Sequence, residues 1–181
     1  MSHNTNNTNK GIKAFKAIYL VGIIFAVMKL IEYLQWTFQL IKKWRLPEEP
    51  FFSKVNLNGI DVDMPISAYL VFGILYIVVF GFIFLGLYQL NNTTKLISGN
   101  IIFQKEVGSA FKKAGRSFLA FAFGTLIIDI SVLLWAQTSN RVIDLLSTEL
   151  IVFLILGYLM LFLADIFKEG ITLQEENELT I

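Results

Sequence analysis

The residues of this chain best suited to chemistry are three ionisable side chains that interrupt long apolar stretches. Lys29 and Glu32 interrupt the first stretch, and Asp129 interrupts a later one. A charged side chain inside a membrane helix costs roughly 2.5–3.5 kcal/mol on insertion scales, so each one needs a partner or a function. Counted inward from the same side of a membrane, Lys29 and Asp129 reach matching depths, and Glu32 lies one helical turn beyond Lys29. The spacing predicts a polar cluster in the outer half of a helical bundle.

Thr125 and Tyr69 are the polar neighbours expected to complete this intramembrane cluster. Thr125 lies one turn from Asp129 on the same helix, and Tyr69 enters a different helix at a similar outer depth. Two interpretations stay open. In the first, the cluster senses a signal or binds an ion or a proton. In the second, Lys29 and Glu32 snorkel to the outer interface, while Asp129 is a structural hydrogen-bonding group between helices.

Composition argues against most other kinds of site. Of 181 residues, 55% are apolar and 16% are charged, whereas soluble domains average about 25% charged residues. The chain has no cysteine and one histidine, His3, which excludes a disulfide framework and a histidine or thiolate metal cluster. Phosphate-binding loops, nucleophile elbows and metal-binding helix motifs are missing as well. We therefore expect no enzyme activity, catalytic residue, metal or cofactor, and the net charge of +1 gives no reason to expect direct nucleic-acid binding.

The elements that must position these residues are four apolar segments, each long enough to cross a bilayer core of about 30 Å as a helix. They predict transmembrane helices at about 14–36, 65–90, 117–135 and 149–167. The predicted fold is an all-α membrane protein, a four-transmembrane-helix bundle forming a single domain over 1–181. Residues 1–13 are expected to be a disordered tail, and 168–181 a cytoplasmic tail.

Lysine and arginine are more frequent on the side that carries both termini than on the opposite side. The positive-inside rule then predicts a multi-pass protein of the cell inner (cytoplasmic) membrane with both termini in the cytoplasm. The largest external loop, 41–64, alternates apolar and polar residues around Asn58 and Gly59. Asn-Gly in such a setting predicts a small extracytoplasmic β-hairpin. A partial helix over 142–146 is expected in the second external loop.

The cytoplasmic connection has helical periodicity on both sides. The second helix is expected to continue to Ile97, with Gly99 as its C-terminal cap, and the third to begin near Gln104. These helices would form a hairpin that projects into the cytoplasm with residues 99–103, GNIIF, at its tip. The C-terminal tail is acidic and ends in an apolar pair, which suits an extended peptide docking on another surface. That surface is either the basic face of the third helix or a separate cytoplasmic protein.

The tip and the tail resemble a bacterial four-helix integral-membrane family, domain of unknown function 2975. The matching positions that we assign to a cytoplasmic interaction surface are Gly99, Phe103, Gly170, Leu173, Glu175, Glu176, Leu179 and Thr180. Gln104 departs from the small hydroxylated residue common after the tip phenylalanine, which affects the local helix cap. The resemblance implies a neighbouring helix-turn-helix regulator and supplies no established activity.

These observations together favour a non-enzymatic interaction or signal-relay protein that acts with a cytoplasmic, helix-turn-helix regulator. Its expected partners are the lipid bilayer and that regulator, and a homo-oligomer stays open. The alternative is a small transporter or channel subunit that uses Lys29, Glu32 and Asp129 as an ion or proton path.

Overall fold

The computed structural model describes residues 5–44, 52–57, 60–97, 104–135 and 148–179. Along the chain, the elements within these ranges are α1 (Thr5–Trp44), β1 (Phe52–Leu57), β2 (Ile60–Pro65), α2 (Ile66–Ile97), α3 (Lys105–Trp135) and α4 (Thr148–Leu179). The four helices confirm the helical architecture expected from the apolar segments.

Three helical segments each contain an apolar stretch long enough to cross a membrane, namely Leu70–Ile97, Lys105–Leu134 and Thr148–Asn177. Within its described residues, α1 contributes the shorter apolar segment Tyr19–Met28. The coarse prediction of membrane-spanning helices is therefore supported for α2, α3 and α4, and a fourth span in α1 stays a prediction.

Helix α3 is central to the bundle, since it packs against α2 on one side and α4 on the other, while α1 packs against α2. Aromatic rings of α2, α3 and α4 pack against one another. Phe121 of α3 lies with its ring centroid 6.0 Å from that of Phe80 in α2 and 4.6 Å from that of Phe153 in α4, both in edge-to-face geometry. Such pairs are favourable beyond the area that they bury. A shared aromatic core thus fixes α3 between its neighbours.

The contact between α3 and α4 is closest at two glycines. A methyl group on Gly115 would lie 2.7 Å from the carbonyl oxygen of Gly157. A methyl group on Gly157 would in turn lie 2.7 Å from the Leu119 side chain. Only a hydrogen fits at Gly115 unless the backbones separate, because the obstructing atom belongs to the main chain. This Gly115–Gly157 crossing brings the two helices together as small residues do in membrane bundles.

The strands β1 and β2 pair in antiparallel register from Phe52↔Pro65 to Leu57↔Ile60. Two residues, Asn58 and Gly59, separate them, which is the loop length of a tight hairpin. Strand β2 leads directly into α2, which begins at Ile66. The extracytoplasmic placement of this strand pair stays a prediction.

Two predicted tails are helical instead. Helix α1 extends back to Thr5, where a disordered tail was expected over 1–13, and α4 continues to Leu179, where an extended peptide was expected. Both expectations are wrong for the same physical reason. Adding a residue to an existing helix gains a hydrogen bond without a new nucleation step. Glutamate, glutamine and leucine, which dominate the end of α4, also favour helix. The partial helix expected over 142–146 lies outside the described residues.

The boundaries of the α2–α3 hairpin match the prediction. Helix α2 ends at Ile97 and α3 begins at Lys105. The carbonyl of Gln104 accepts hydrogen bonds from the backbone N–H groups of Val107 at 3.1 Å and Gly108 at 3.4 Å. The main chain of Gln104 thus starts the helix. The expected cap, Gly99, lies outside the described residues.

Candidate functional site

The first polar site lies inside the apolar part of the bundle, between α2 and α3. The hydroxyl of Tyr76 donates a hydrogen bond to a carboxylate oxygen of Asp129. Glu149, in the first turn of α4, is close enough to act electrostatically on Asp129. Three helices therefore bring one polar side chain each to the same end of the bundle. A carboxylate in an apolar span needs such a donor, because an unpaired polar group there is costly.

The other residues predicted for this cluster have different settings. The Thr125 hydroxyl donates to the carbonyl of Ala122 in its own helix at 2.9 Å. Tyr69 lies on α2 two turns before Tyr76, about 10 Å further along the axis. The side chains of Lys29, Glu32 and Tyr69 lie outside the described residues. Their membership of the cluster stays a prediction.

Tyr76 is the residue that the sequence argument missed. Tyr69 was predicted as the partner of Asp129 because the depth of each residue was counted from the membrane boundary of its own helix. The antiparallel packing of α2 and α3 shows directly which residues lie at the same level, since Gly86 faces Phe118 and Gly124 faces Val79. Continuing that register along α2 and α3 leads to Tyr76 opposite Asp129. Counting back from the predicted turn between Ile97 and Gln104 places Asp129 opposite Phe72, midway between Tyr69 and Tyr76, so only the packed register of the two helices identifies Tyr76.

The second polar site lies at the opposite end of α3. Lys105 in its first turn forms an ion pair with Glu175 of α4, with 3.2 Å between Nζ and Oε1. Both side chains are well exposed, at 75% and 58%. The pair joins the start of α3 to the end of α4. It agrees with the version of the tail prediction in which the acidic segment docks on the basic third helix, although the docked segment is helical.

The remaining residues of the predicted interaction surface divide into described and undescribed positions. Leu173 is 59% exposed, Gly170 is half-buried, and Glu176 is exposed. The side chain of Leu179 lies outside the described residues, as do Gly99, Phe103 and Thr180. The structure therefore describes the helical part of the tail and leaves the hairpin tip as a prediction.

A cleft of about 400 Å³ opens between the end of α2 and the start of α3. Its polar lining consists of Gln89, Asn92, Lys105, Glu106, Ser109 and Lys113. The rest of the lining is apolar, from Leu96 and Ala110. The cleft thus combines hydrogen-bonding amides and a hydroxyl with positive charge, a set suited to binding an anion.

No group of three or more histidine, aspartate or glutamate side chains in the described parts of the chain is arranged to hold a metal ion. The polar groups found are a tyrosine–aspartate pair, an ion pair and an amide-rich cleft.

The fold and these sites define a class: a helical bundle whose central helices have the length and hydropathy of membrane spans, with charged extensions at one end. The chain belongs to the family described as "Protein of unknown function (DUF2975)", which it matches over residues 2–181. The suspected family is therefore confirmed over nearly the whole chain. No curated protein and no solved structure matches it significantly.

Proposed function

We propose that this protein is a non-enzymatic interaction or signal-relay protein of the bacterial inner membrane that acts with a cytoplasmic, helix-turn-helix regulator. In this proposal α1 is the fourth span, both termini are cytoplasmic, and the β1–β2 pair is extracytoplasmic. The main support for the proposal is that α3 and α4 both continue beyond their apolar spans. Their extensions are joined by the exposed Lys105–Glu175 ion pair, so the two helices together present a charged surface.

Helix length supports this extension. Helix α4 has 32 residues, and therefore a length of about 48 Å at 1.5 Å per residue. A bilayer core is only about 30 Å thick. The excess carries the acidic segment that ends α4, and Leu173 stands exposed on it. Leu173 is the exposed apolar residue next to this acidic segment, and we take it as the contact point for a protein partner with a basic, partly apolar surface.

Site-specific photocrosslinking in cells tests the proposal. A photoreactive residue at Leu173 is expected to yield an adduct with a small DNA-binding protein, identified by mass spectrometry. Leu134 is the matched control, since it is an exposed leucine at the opposite end of α3. Adducts with the same proteins at both positions, or none with a DNA-binding protein at Leu173, would contradict the proposal. A topology reporter fused at Ile181 tests the orientation separately.

The second candidate function is a small transporter or channel subunit. The observation that favours it is the Tyr76–Asp129 pair, an ionisable group held inside the apolar spans. In this candidate Lys29 and Glu32 complete the ion or proton path. Proton and cation flux into liposomes decides the matter, compared between the wild type and Asp129→Asn. Absence of flux, or equal flux in both, removes this candidate.

A further inference from the structure

We propose that the cleft between α2 and α3 binds the phosphate group of an anionic phospholipid, with Lys113 as its principal cationic ligand. The inference requires only the cleft and a membrane, so it stands independently of the proposed regulator.

Depth in the membrane favours a lipid headgroup. Lys113 lies one turn before Ser117, where the long apolar run of α3 begins, so it stands about 6 Å from the hydrocarbon edge. The headgroup layer occupies roughly 5–8 Å on each side of the hydrocarbon core. Lys113 therefore lies at the level of lipid phosphates. Basic clefts between helices at this level are suited to anionic headgroups.

The lining of the cleft is polar on both walls. On α2, Gln89 and Asn92 are one turn apart on the same face, and on α3 Ser109 precedes Lys113 by one turn. Amide N–H and hydroxyl groups donate hydrogen bonds to phosphate oxygens, while the lysine ammonium supplies charge. The four side chains offer donors of different reach, and Ser109 lies one turn further out along α3 than Lys113.

Charge is distributed unevenly along the cleft. Glu106 also lines it, beside Lys105 and about two turns from Lys113, a separation of roughly 10 Å. The carboxylate therefore disfavours an anion mainly at the outer end, where Lys105 is in addition paired with Glu175. The inner end, at Lys113, has the neutral donors and the unopposed positive charge of its lining. A phosphate is consequently expected at the inner end.

Native mass spectrometry of the full-length protein tests the inference. The protein is released from micelles containing equal amounts of phosphatidylglycerol and phosphatidylcholine, and the retained lipids are counted. Wild type is expected to retain phosphatidylglycerol preferentially. Lys113→Gln is expected to lower that preference about fivefold, the effect of one basic residue at a membrane surface, and Lys113→Arg to restore it.

Lys112→Gln is the matched control, because Lys112 is the adjacent exposed lysine and is not part of the lining. A clearly smaller loss in this variant than in Lys113→Gln supports a built site, because any lysine near the membrane surface attracts anionic lipid to some extent. Equal losses in the two glutamine variants, or no lipid preference in the wild type, would overturn the inference. So would displacement of phosphatidylglycerol by an equal concentration of glycerol phosphate, because the ligand would then be a soluble phosphate. Circular dichroism of each variant verifies that the helices are intact.

Discussion

The two ends of α3 carry polar sites built in opposite ways. At one end, Asp129 lies among apolar residues and accepts a hydrogen bond from Tyr76 of the neighbouring helix. At the other end, Lys105 and Glu175 form an ion pair with both side chains largely in solvent. Water competes for the second pair and is scarce around the first. At the apolar end, α3 therefore pairs with a neutral hydroxyl of α2, and at the solvent-exposed end it pairs with an oppositely charged side chain of α4.

The comparison distinguishes the residues that stabilise the fold from those that are available to bind a partner. The partly buried Tyr76–Asp129 hydrogen bond holds two helices in register, because breaking it leaves a polar group in an apolar span without a partner. An exposed ion pair contributes little to stability and leaves its charges accessible to other ions. We expect variants at the Asp129 end to affect folding and variants at the Lys105 end to affect binding.

The largest effect on stability is expected from Gly115→Ala, at the close contact between α3 and α4 that lies between the two polar sites. The added methyl group meets the Gly157 carbonyl at 2.7 Å, so the helices must separate, and the free energy of unfolding should fall by about 1–3 kcal/mol. Unfolding in mixed micelles, followed by circular dichroism, measures it. Gly81→Ala is the control, since nothing lies within 4 Å of its added carbon. A Gly115→Ala protein as stable as this control would refute the close crossing.

The next effect is expected from Tyr76→Phe, which removes the hydrogen-bond donor from Asp129. Hydrogen bonds between membrane helices contribute about 0.6 kcal/mol on average and at most about 1.7 kcal/mol. The free energy of unfolding should decrease within that range in the same assay. Tyr88→Phe provides the comparison, because Tyr88 is 64% exposed and its loss should leave stability unchanged. If both variants lose the same amount, the Asp129 pair has no special role in folding.

The smallest effect on stability is expected from Lys105→Gln. An exposed ion pair contributes about 0.2–1 kcal/mol, and it should weaken further in 1 M salt, where the screening length is about 3 Å. A double-mutant cycle with Glu175→Gln isolates the coupling between the two side chains. Lys112→Gln, paired with Glu175→Gln in a second cycle, should show no coupling. A salt-independent coupling above the stated range would mean that the two ends are not as different as proposed.

The sequence was sufficient to predict that there are four helices and where the α2–α3 hairpin turns. Ile97 and Gln104 were located by helical periodicity and by a glycine stop signal, both of which are local properties. The Asp129 partner was missed because a depth count treats each helix alone, whereas pairing depends on the register of two helices. The Gly115–Gly157 crossing was also beyond reach, because many helical glycines occur in this chain and only some lie at a contact.

The acidic tail shows a different limit of sequence reasoning. Its composition is that of an exposed peptide, and it was expected to be extended for that reason. Its secondary structure is decided instead by the apolar helix that precedes it and by Glu175, which binds Lys105. The site at Lys105 was nevertheless anticipated, since opposite charges at the ends of adjacent helices attract over distances that do not require an exact geometry.

The close contact between Gly115 and Gly157 is a fixed point about which α3 can tilt as a lever. Lys105 lies about 15 Å from this fulcrum along α3, and Asp129 lies about 21 Å from it on the other side. Tilting α3 across α4 at this point moves the two ends of α3 in opposite directions, with arms of comparable length. A displacement of about 1 Å at Asp129 becomes a shift of roughly 0.7 Å at Lys105, because α3 is one unbroken helix between these positions.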